Sequence, residues 1–208
     1  MTTTRYDVEH RMRLHFENDT YYSTDDILNS IQDGYDEVVA FSGCILKATS
    51  LPFVNNLSYY DMIALLPDFI GIVAIFNSVI KRWMIPTSAR KLDQVRPDWE
   101  TAAGTPEYFV PVNHRYMAIF RKPIVDGYGN FYLFYRAAAP TLASQTDPIL
   151  IPDDYVNALS DYCITDLWEQ QQEFTKGGMH LQAYIDNLKQ LQTWVHSQRL
   201  PDRLSSLK

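Results

Sequence analysis

The 208-residue sequence has few of the residue patterns that catalysis, metal binding or cofactor binding usually requires. Its two cysteines, Cys44 and Cys163, are far apart in sequence and too few for a disulfide framework, so a reducing compartment is expected. No two of its five histidines are four residues apart and none has a cysteine nearby, which argues against zinc. It has neither a glycine-rich phosphate loop nor a nucleophile elbow. We therefore expect no catalytic residue, no metal and no cofactor.

Long apolar runs are also missing. The most apolar stretch, 62–76, is interrupted by Pro67 and Asp68 and is shorter than the roughly 20 residues that a helix needs to cross a bilayer. The first residues include Asp7 and Glu9 and no apolar run, so no signal peptide is expected. These features predict a soluble protein that is made in a cytoplasm and has no membrane contact.

The chain has no excess of positive charge. Its 18 Lys and Arg against 25 Asp and Glu give a net charge of -7, unlike a protein that grips nucleic acid through phosphates. The charge is uneven, because residues 1–50 carry -5, residues 51–150 carry +1 and residues 151–200 carry -4. Both ends are thus acidic, and the middle is balanced.

Helical periodicity marks the N-terminal region. Ser23 followed by Asp25 and Asp26 is typical of a helix start, with a capping hydroxyl and carboxylates at the positive end of the helix dipole. The apolar stripe that follows consists of Ile27, Leu28, Ile31, Tyr35, Val38 and Val39. This helix should end near Gly43. A shorter helix is predicted before it, over about residues 5–16.

Two more helices are predicted in the C-terminal region. Pro152, Asp153 and Asp154 open the first one. Its stripe consists of Tyr155, Leu159, Tyr162, Cys163 and Leu167. The segment Lys176-Gly177-Gly178 is predicted to end or bend this helix. The stripe of the next helix consists of Leu181, Tyr184, Ile185, Leu188, Leu191 and Val195. So short a link predicts an antiparallel helical hairpin.

The middle of the chain is predicted to form strands. Seven short runs rich in Val, Ile, Tyr and Phe indicate them: 45–53, 58–65, 70–76, 79–85, 108–112, 116–121 and 131–137. Turn residues separate the runs, and Asn77-Ser78 and Asn113-His114 are interpreted as two-residue hairpin turns. Residues 87–95 are predicted to form a short helix, capped by Thr87 or Ser88.

Aromatic residues are plentiful, with 14 Tyr, 10 Phe and 4 Trp. Trp99 precedes Gly104-Thr105-Pro106 and is expected to anchor that turn in the core. The strand 131–136 reads Phe-Tyr-Leu-Phe-Tyr-Arg. It could stack nucleic-acid bases, or it could place an aromatic core on one face and a protein interface on the other. The overall acidity favours the second interpretation, since single-strand binding needs a basic groove.

Paired acidic residues and the thiols are the remaining chemical candidates. Asp25-Asp26 and Asp153-Asp154 could be paired carboxylates for acid–base catalysis. Adjacent residues on a helix point in different directions, however, and both pairs lie at predicted helix starts, so helix capping is the favoured role. Cys163 lies on an apolar stripe and is expected to be a buried structural residue.

These patterns predict an α+β fold with N-terminal helices, a central antiparallel β-meander or sandwich, and a C-terminal α-helical hairpin. The expected organisation is a helical bundle from residues 1–44 and 151–200, a β-rich domain at 45–150, and a C-terminal tail at 201–208.

Several short motifs occur in order along the chain after residue 65. They are Leu66-Pro67-Asp68-Phe69-Ile70, Thr87-Ser88 with Leu92-Asp93, Trp99 with Gly104, Pro106 and Tyr108, Arg121-Lys122-Pro123, Tyr135-Arg136, and Asp147-Pro148 with Ile151-Pro152, Tyr155 and Ala158-Leu159. In order and spacing they resemble the head-to-tail adaptor family of tailed bacteriophages, also called connector or head completion proteins. The resemblance covers about residues 20–200.

This resemblance implies a structural virion protein of the phage neck. Such adaptors form a ring, commonly of twelve copies, that docks on the portal protein, extends the DNA channel and offers a surface to the tail or to a nozzle or other neck protein. Double-stranded DNA is then expected to pass through without specific binding. The sheet portion of such proteins tends to face the tail, which makes the turn formed by Asp126, Gly127, Tyr128, Gly129 and Asn130 a candidate tail-facing loop.

The C-terminal segment is the candidate portal-binding element. The apolar stripe stops after Val195. The segment beyond it carries His196, the basic pair Arg199 and Arg203, and the apolar pair Leu200 and Leu204. Such a tail suits ordering on a partner, with leucines in a groove and arginines on carboxylates.

Three alternatives remain open at this point. A neck stopper or tail-terminator ring protein would share most of these features. A small hydrolase would need a cluster of titratable residues in a pocket. A nucleic-acid-binding module would show steeply salt-dependent binding to duplex DNA.

Overall fold

The acidic ends of the chain fold together, and the middle forms a second unit. The structure is a computed structural model that describes residues 2–16 and 21–198. The described residues before Leu46 and those after Ala137 form one compact unit, here called the helical unit. Leu46–Ala137 form the other, here called the sheet unit. The predicted α+β fold class, with helices at both ends and a central sheet region, is confirmed.

The described residues contain six α-helices and eight strands. The helices are α1 (Arg5–His15), α2 (Thr24–Ser42), α3 (Met62–Leu65), α4 (Ala89–Val95), α5 (Val156–Gln170) and α6 (Phe174–Ser197). The strands are β1 (Leu46–Pro52), β2 (Tyr59–Asp61), β3 (Phe69–Asn77), β4 (Arg82–Trp83), β5 (Ile85–Pro86), β6 (Tyr108–Pro111), β7 (Tyr116–Phe120) and β8 (Asn130–Ala137). A 3₁₀ helix, Asp153–Tyr155, precedes α5.

Local sequence signals set the ends of α1 and α2. Each begins with a reciprocal capping box, made by Thr4 with Asp7 in α1 and by Ser23 with Asp26 in α2. The backbone at Gly43 is left-handed (φ 61°) and ends α2, as predicted. The predicted roles of Ser23 and Asp26 are thereby confirmed.

The predicted antiparallel hairpin of α5 and α6 is present, but the glycine pair does not form its turn. The link is Gln171 to Glu173, with Gln172 in the left-handed conformation (φ 61°), and α6 continues through Gly177-Gly178. The prediction that these glycines end or bend the first helix of the hairpin is wrong, because that helix, α5, already ends at Gln170. Gly177 is buried where α6 meets α5, and a Cβ atom there would lie 3.4 Å from the Thr165 carbonyl oxygen.

Two four-stranded sheets make up the sheet unit. Their strand orders are β1-β8-β3-β4 and β2-β7-β6-β5. Three of the six neighbouring pairs, β1-β8, β8-β3 and β2-β7, join strands that are not consecutive in the chain, unlike the pairs of a simple meander. Pairing is antiparallel except between β5 and β6, where Ile85 lies opposite Tyr108. The chain enters and leaves this unit on paired strands, because Leu46 lies opposite Arg136.

Two predicted strands are shorter than expected. Residues 58–65 form only the three-residue strand β2, after which the Asp61 carboxylate accepts a hydrogen bond from the Ala64 amide and caps α3. Residues 79–85 hold a turn followed by the two-residue strand β4 and the start of β5. Side-chain capping and turn formation replace the strand in both places.

Both predicted two-residue hairpin turns are wrong. Asn77 is itself paired with Arg82, which leaves four residues in that turn. The buried Asn77 side chain donates to the Pro106 carbonyl (2.8 Å) and accepts from the Val79 amide (2.9 Å). At the β6–β7 turn the Asn113 side chain likewise accepts from two backbone amides, those of Arg115 and Tyr116. Asparagine side chains thus stabilise longer turns here.

The core of the sheet unit has two parts. Tyr60 of one sheet meets Phe131 of the other with ring centroids 5.5 Å apart, and this contact joins the two sheets. A second apolar cluster consists of Leu92, Trp99, Val110, Ala118 and Phe120. It packs α4 against β6 and β7.

Trp99 is 3% exposed, and its indole nitrogen donates to the Asp93 carboxylate at 2.8 Å, so its predicted burial is confirmed. Of the two residues predicted to cap α4, Thr87 and Ser88, the structure has Ser88 as the cap.

Candidate functional site

The acidic pairs and the buried thiol have structural roles. Asp26 caps α2, as described above. Asp153 accepts hydrogen bonds from the Thr3 amide (3.1 Å) and hydroxyl (2.9 Å), while the 3₁₀ helix that it begins has no side-chain cap, so the predicted capping role is wrong for this residue. Cys163 is fully buried as predicted, and desolvation raises the pKa of its thiol.

The described residues form neither a metal centre nor a membrane-spanning helix. Across residues 2–16 and 21–198, no group of three or more His, Cys, Asp or Glu side chains is arranged to hold a metal ion. Within these ranges no helix is long and apolar enough to cross a membrane.

A polar cluster joins three helices of the helical unit. Asp161 on α5 accepts from Asn187 (3.0 Å) and lies 3.1 Å from the His180 Nδ1 atom, both on α6. His15 of α1 packs edge-on against His180 with ring centroids 5.0 Å apart. Partial burial, and then the neighbouring His180, lower the pKa of His15 below its usual 6.5, while Asp161 opposes this shift.

This lowered pKa predicts a loss of stability in weak acid. Below about pH 6.5 the unfolded chain takes up a proton at His15 more readily than the folded chain, so the free energy of unfolding should fall as the pH drops through that range. We expect His15→Gln to flatten the dependence of the melting temperature on pH between 7 and about 5. His114→Gln, in the sheet unit, is the control and should keep the wild-type slope. Equal slopes for His15→Gln and wild type would contradict the prediction.

Carboxylates titrate in a different range. Hydrogen bonds to Thr4, Ser23, Arg115 and Thr3 lower the pKa values of Asp7, Asp26, Asp61 and Asp153 below the usual 3.8. The stability that these groups contribute is present above that value and is lost at lower pH. The two effects can therefore be measured separately.

The candidate tail-facing loop is a constrained turn. Gly127 (φ 69°) and Gly129 (φ 124°) both have positive φ, and a Cβ atom on Gly129 would lie 2.5 Å from a Val79 methyl group. Tyr128 packs edge-on against Phe53 with ring centroids 5.5 Å apart. Asp126 and Gly127 are exposed and Asn130 begins β8. Just before the loop, Ile124 and Val125 are 63% and 52% exposed.

The candidate portal-binding residues are only partly described. His196 is in the last turn of α6, where its Nδ1 atom lies 2.6 Å from the Gln192 carbonyl oxygen. Arg199, Leu200, Arg203 and Leu204 lie outside the described residues.

The aromatic strand β8 has a buried face, as expected, and an opposite face that is partly exposed. Phe131, Leu133 and Tyr135 are buried on one face. On the other face lies an aromatic cluster of Phe76, Trp83, Tyr132 and Phe134, with ring centroids 5.3 to 6.4 Å apart. Tyr132 is 46% exposed. The second face is thus an accessible aromatic surface.

A groove of about 320 Å³ lies where α4 crosses the sheet, and the sequence interpretation missed it. Its apolar lining includes Leu92 and Phe120, which belong to the Trp99 cluster, and Tyr108. Ile85 and Val95 also line it and are 53% and 66% exposed. The groove is therefore a continuation of the core that opens to solvent.

Cations surround this groove. Lys91, Arg96 and Arg121 line it together with Glu107, which is 3.7 Å from the Arg121 guanidinium. Lys91 and Arg96 have no ion-pair partner among residues 2–16 and 21–198. Leu46–Ala137 carry ten Lys and Arg against seven Asp and Glu, a net of +3 in an acidic chain. In the sequence, the only sign of these cations was that residues 51–150 are nearly neutral while both flanks are acidic. That difference could not show that the cations line one groove.

The α5–α6 link has the opposite character. Phe174, the first residue of α6, is 67% exposed. Glu169 and Glu173 lie close to it in sequence, and Glu173 is 3.7 Å from Lys176. This part of the chain therefore carries an exposed aromatic ring and two carboxylates, one of which is paired with Lys176.

The accessible aromatic face, the groove and the α5–α6 link are all exposed to solvent. A family model described as SU10 adaptor protein matches residues 4–205. The match spans nearly the whole chain, so the protein belongs to the SU10 adaptor family of phage adaptor proteins, which are structural components of the virion. No curated protein matches the chain.

Proposed function

We propose that this protein is the portal-docked adaptor of the virion neck. In this role, copies form a closed ring that docks on the portal protein, extends the DNA channel and carries the tail or a nozzle protein. The observation that supports it most is the adaptor family match over residues 4–205. A closed ring needs two different, complementary patches on each subunit, and the exposed surfaces described above differ strongly in charge.

The charge distribution suits passage of DNA. Residues 1–45 and 138–198 carry 17 Asp and Glu against five Lys and Arg. A negative surface repels a passing duplex and keeps it from adhering. We expect duplex DNA to bind weakly even at low salt. Tight binding that weakens steeply with salt would favour a nucleic-acid-binding module instead.

The portal side is assigned to the end of α6 and the segment that follows it. Trp194 and His196 are exposed in the last turns of α6, so this end of the helix presents an aromatic ring and an imidazole. The basic pair Arg199 and Arg203 and the apolar pair Leu200 and Leu204 complete the proposed surface. The loop 126–130, with exposed Ile124 and Val125 beside it, is the proposed tail-side contact.

The test is to mix the purified protein with its portal protein and no other neck protein. We expect a stable complex, with a ring of copies visible by electron microscopy and a mass that gives the copy number. A protein that binds only after another neck component has been added would be a stopper or tail-terminator ring protein.

Deleting residues 199–208 tests the portal side directly. These residues carry Arg199, Leu200, Arg203 and Leu204, so the truncated protein should bind portal at least ~10-fold more weakly, the equivalent of about 1.4 kcal/mol. Its melting curve should stay close to wild type. The loop variant Tyr128→Ser is the control for portal binding and should bind portal normally. If the truncated protein binds portal normally, the C-terminal segment is not the portal contact, and the helices must supply it instead.

A further inference from the structure

The groove beneath α4 and the α5–α6 link have complementary chemistry. The groove has exposed apolar side chains, Ile85 and Val95, with Lys91 and Arg96 at its rim. The link has an exposed Phe174 with Glu169 and Glu173 nearby in sequence. An aromatic ring flanked by carboxylates is the ligand that an apolar groove with a cationic rim should prefer.

We infer that this groove docks the α5–α6 link of a second copy of the chain. Phe174 enters the groove over Ile85 and Val95, and Glu169 and Glu173 approach Lys91 and Arg96. The contact joins two different surfaces, so it is heterologous and propagates from copy to copy, as a ring requires. The inference rests on the proposed ring function and identifies the surfaces that would build the ring.

Charge complementarity favours a second copy over other occupants. The groove belongs to the sheet unit, whose residues Leu46–Ala137 have a net charge of +3, while residues 138–198 carry eight Asp and Glu against two Lys. DNA phosphates would also attract Lys91 and Arg96, but they would gain nothing from the exposed Ile85 and Val95. A groove with an apolar lining therefore fits a protein side chain better than it fits a phosphate backbone.

Charge reversal gives a reciprocal test. One variant carries Lys91→Glu and Arg96→Glu, a second carries Glu169→Lys and Glu173→Lys, and a third carries all four changes. Self-association of the full-length chains is measured by sedimentation equilibrium, and copies bound per portal are counted by electron microscopy. Each double variant should associate at least ~10-fold more weakly, because like charges then face each other, and the fourfold variant should recover. Arg90→Glu, on the same helix but outside the groove lining, should behave as wild type.

The aromatic contact is tested separately. Phe174→Ser should weaken self-association at least ~10-fold and leave the melting temperature unchanged, since the side chain is 67% exposed. Met179→Ser, on the same helix and 76% exposed, is the matched control and should associate normally. If Phe174→Ser self-associates as strongly as wild type, the Phe174 side chain is not part of the contact and the inference is wrong on this point.

The outcomes separate this inference from the proposed function. If wild type assembles on the portal and both charge-reversed double variants assemble equally well, the inference is overturned and the adaptor role stands. If wild type does not bind portal but self-associates in a way that depends on these charges, the adaptor role fails and the contact stands. A wild type that does neither overturns both. Duplex DNA binding that Lys91→Glu with Arg96→Glu abolishes, without any effect on self-association, would assign the groove to DNA.

Discussion

Trp99→Ala should destabilise the sheet unit by about 3–5 kcal/mol. The substitution removes a large side chain that is 3% exposed from the centre of the cluster between α4 and strands β6 and β7. It also leaves the Asp93 carboxylate without its indole donor. Urea unfolding followed by circular dichroism measures the effect.

Trp194→Ala is the matched control for this substitution. Trp194 lies on α6 and is 37% exposed, so its removal should cost less than half as much. If Trp99→Ala leaves the unfolding curve unchanged but stops assembly, then Trp99 is an interface residue and its assignment to the core is wrong.

Gly34→Val should destabilise the helical unit by about 1–3 kcal/mol, the usual range for overpacking a core. Gly34 is a buried residue of α2 that faces α5. A Cβ atom there would lie 2.5 Å from the Tyr162 Cδ1 atom and 2.9 Å from the Leu159 Cδ1 atom, so the two helices would have to separate or both side chains would have to move. Thermal unfolding of the full chain provides the measurement.

Gly178→Ala provides the comparison for Gly34→Val. Gly178 is also inside a helix, but no atom lies within 4 Å of the position where its Cβ would be. Without a steric cost, the better helix propensity of alanine should stabilise the protein by about 0.5–1 kcal/mol. Opposite signs for the two substitutions would show that packing, rather than propensity, requires glycine at position 34. Destabilisation by both would contradict this explanation.

The helices were predictable because their signals are local. The capping residues of α2, Ser23 and Asp26, lie three positions apart in sequence, and Gly43 ends that helix by its own backbone preference. The capping hydroxyl of α4, Ser88, is equally local. Such features need no knowledge of what the helix will contact.

Gly177 and Gln172 show where local reasoning failed. A glycine pair is a good turn signal in isolation, but Gly177 lies inside α6, buried where that helix packs on Thr165 of α5. The turn itself uses Gln172, a residue with no special preference for positive φ. The residue types at these two positions therefore do not show locally where the turn falls.

The candidate surfaces were predictable only in part. Successive side chains of a strand point to opposite faces of its sheet, so the burial of Phe131 and the exposure of Tyr132 in β8 could be anticipated. The groove could not, because Ile85, Val95 and Arg121 come from three separate segments that meet only in the folded sheet unit.

The pairing of β1 with β8 makes the sheet unit a removable module. The chain passes from the helical unit into β1 at Leu46 and returns from β8, where Arg136 lies opposite that residue. Directly opposed residues on antiparallel strands have Cα atoms only about 5 Å apart, so a few residues could join positions 45 and 138 and close the helical unit on itself. An evolving lineage could therefore exchange the whole insertion for another domain and keep the helical unit intact, in one recombination event rather than by gradual change at a surface.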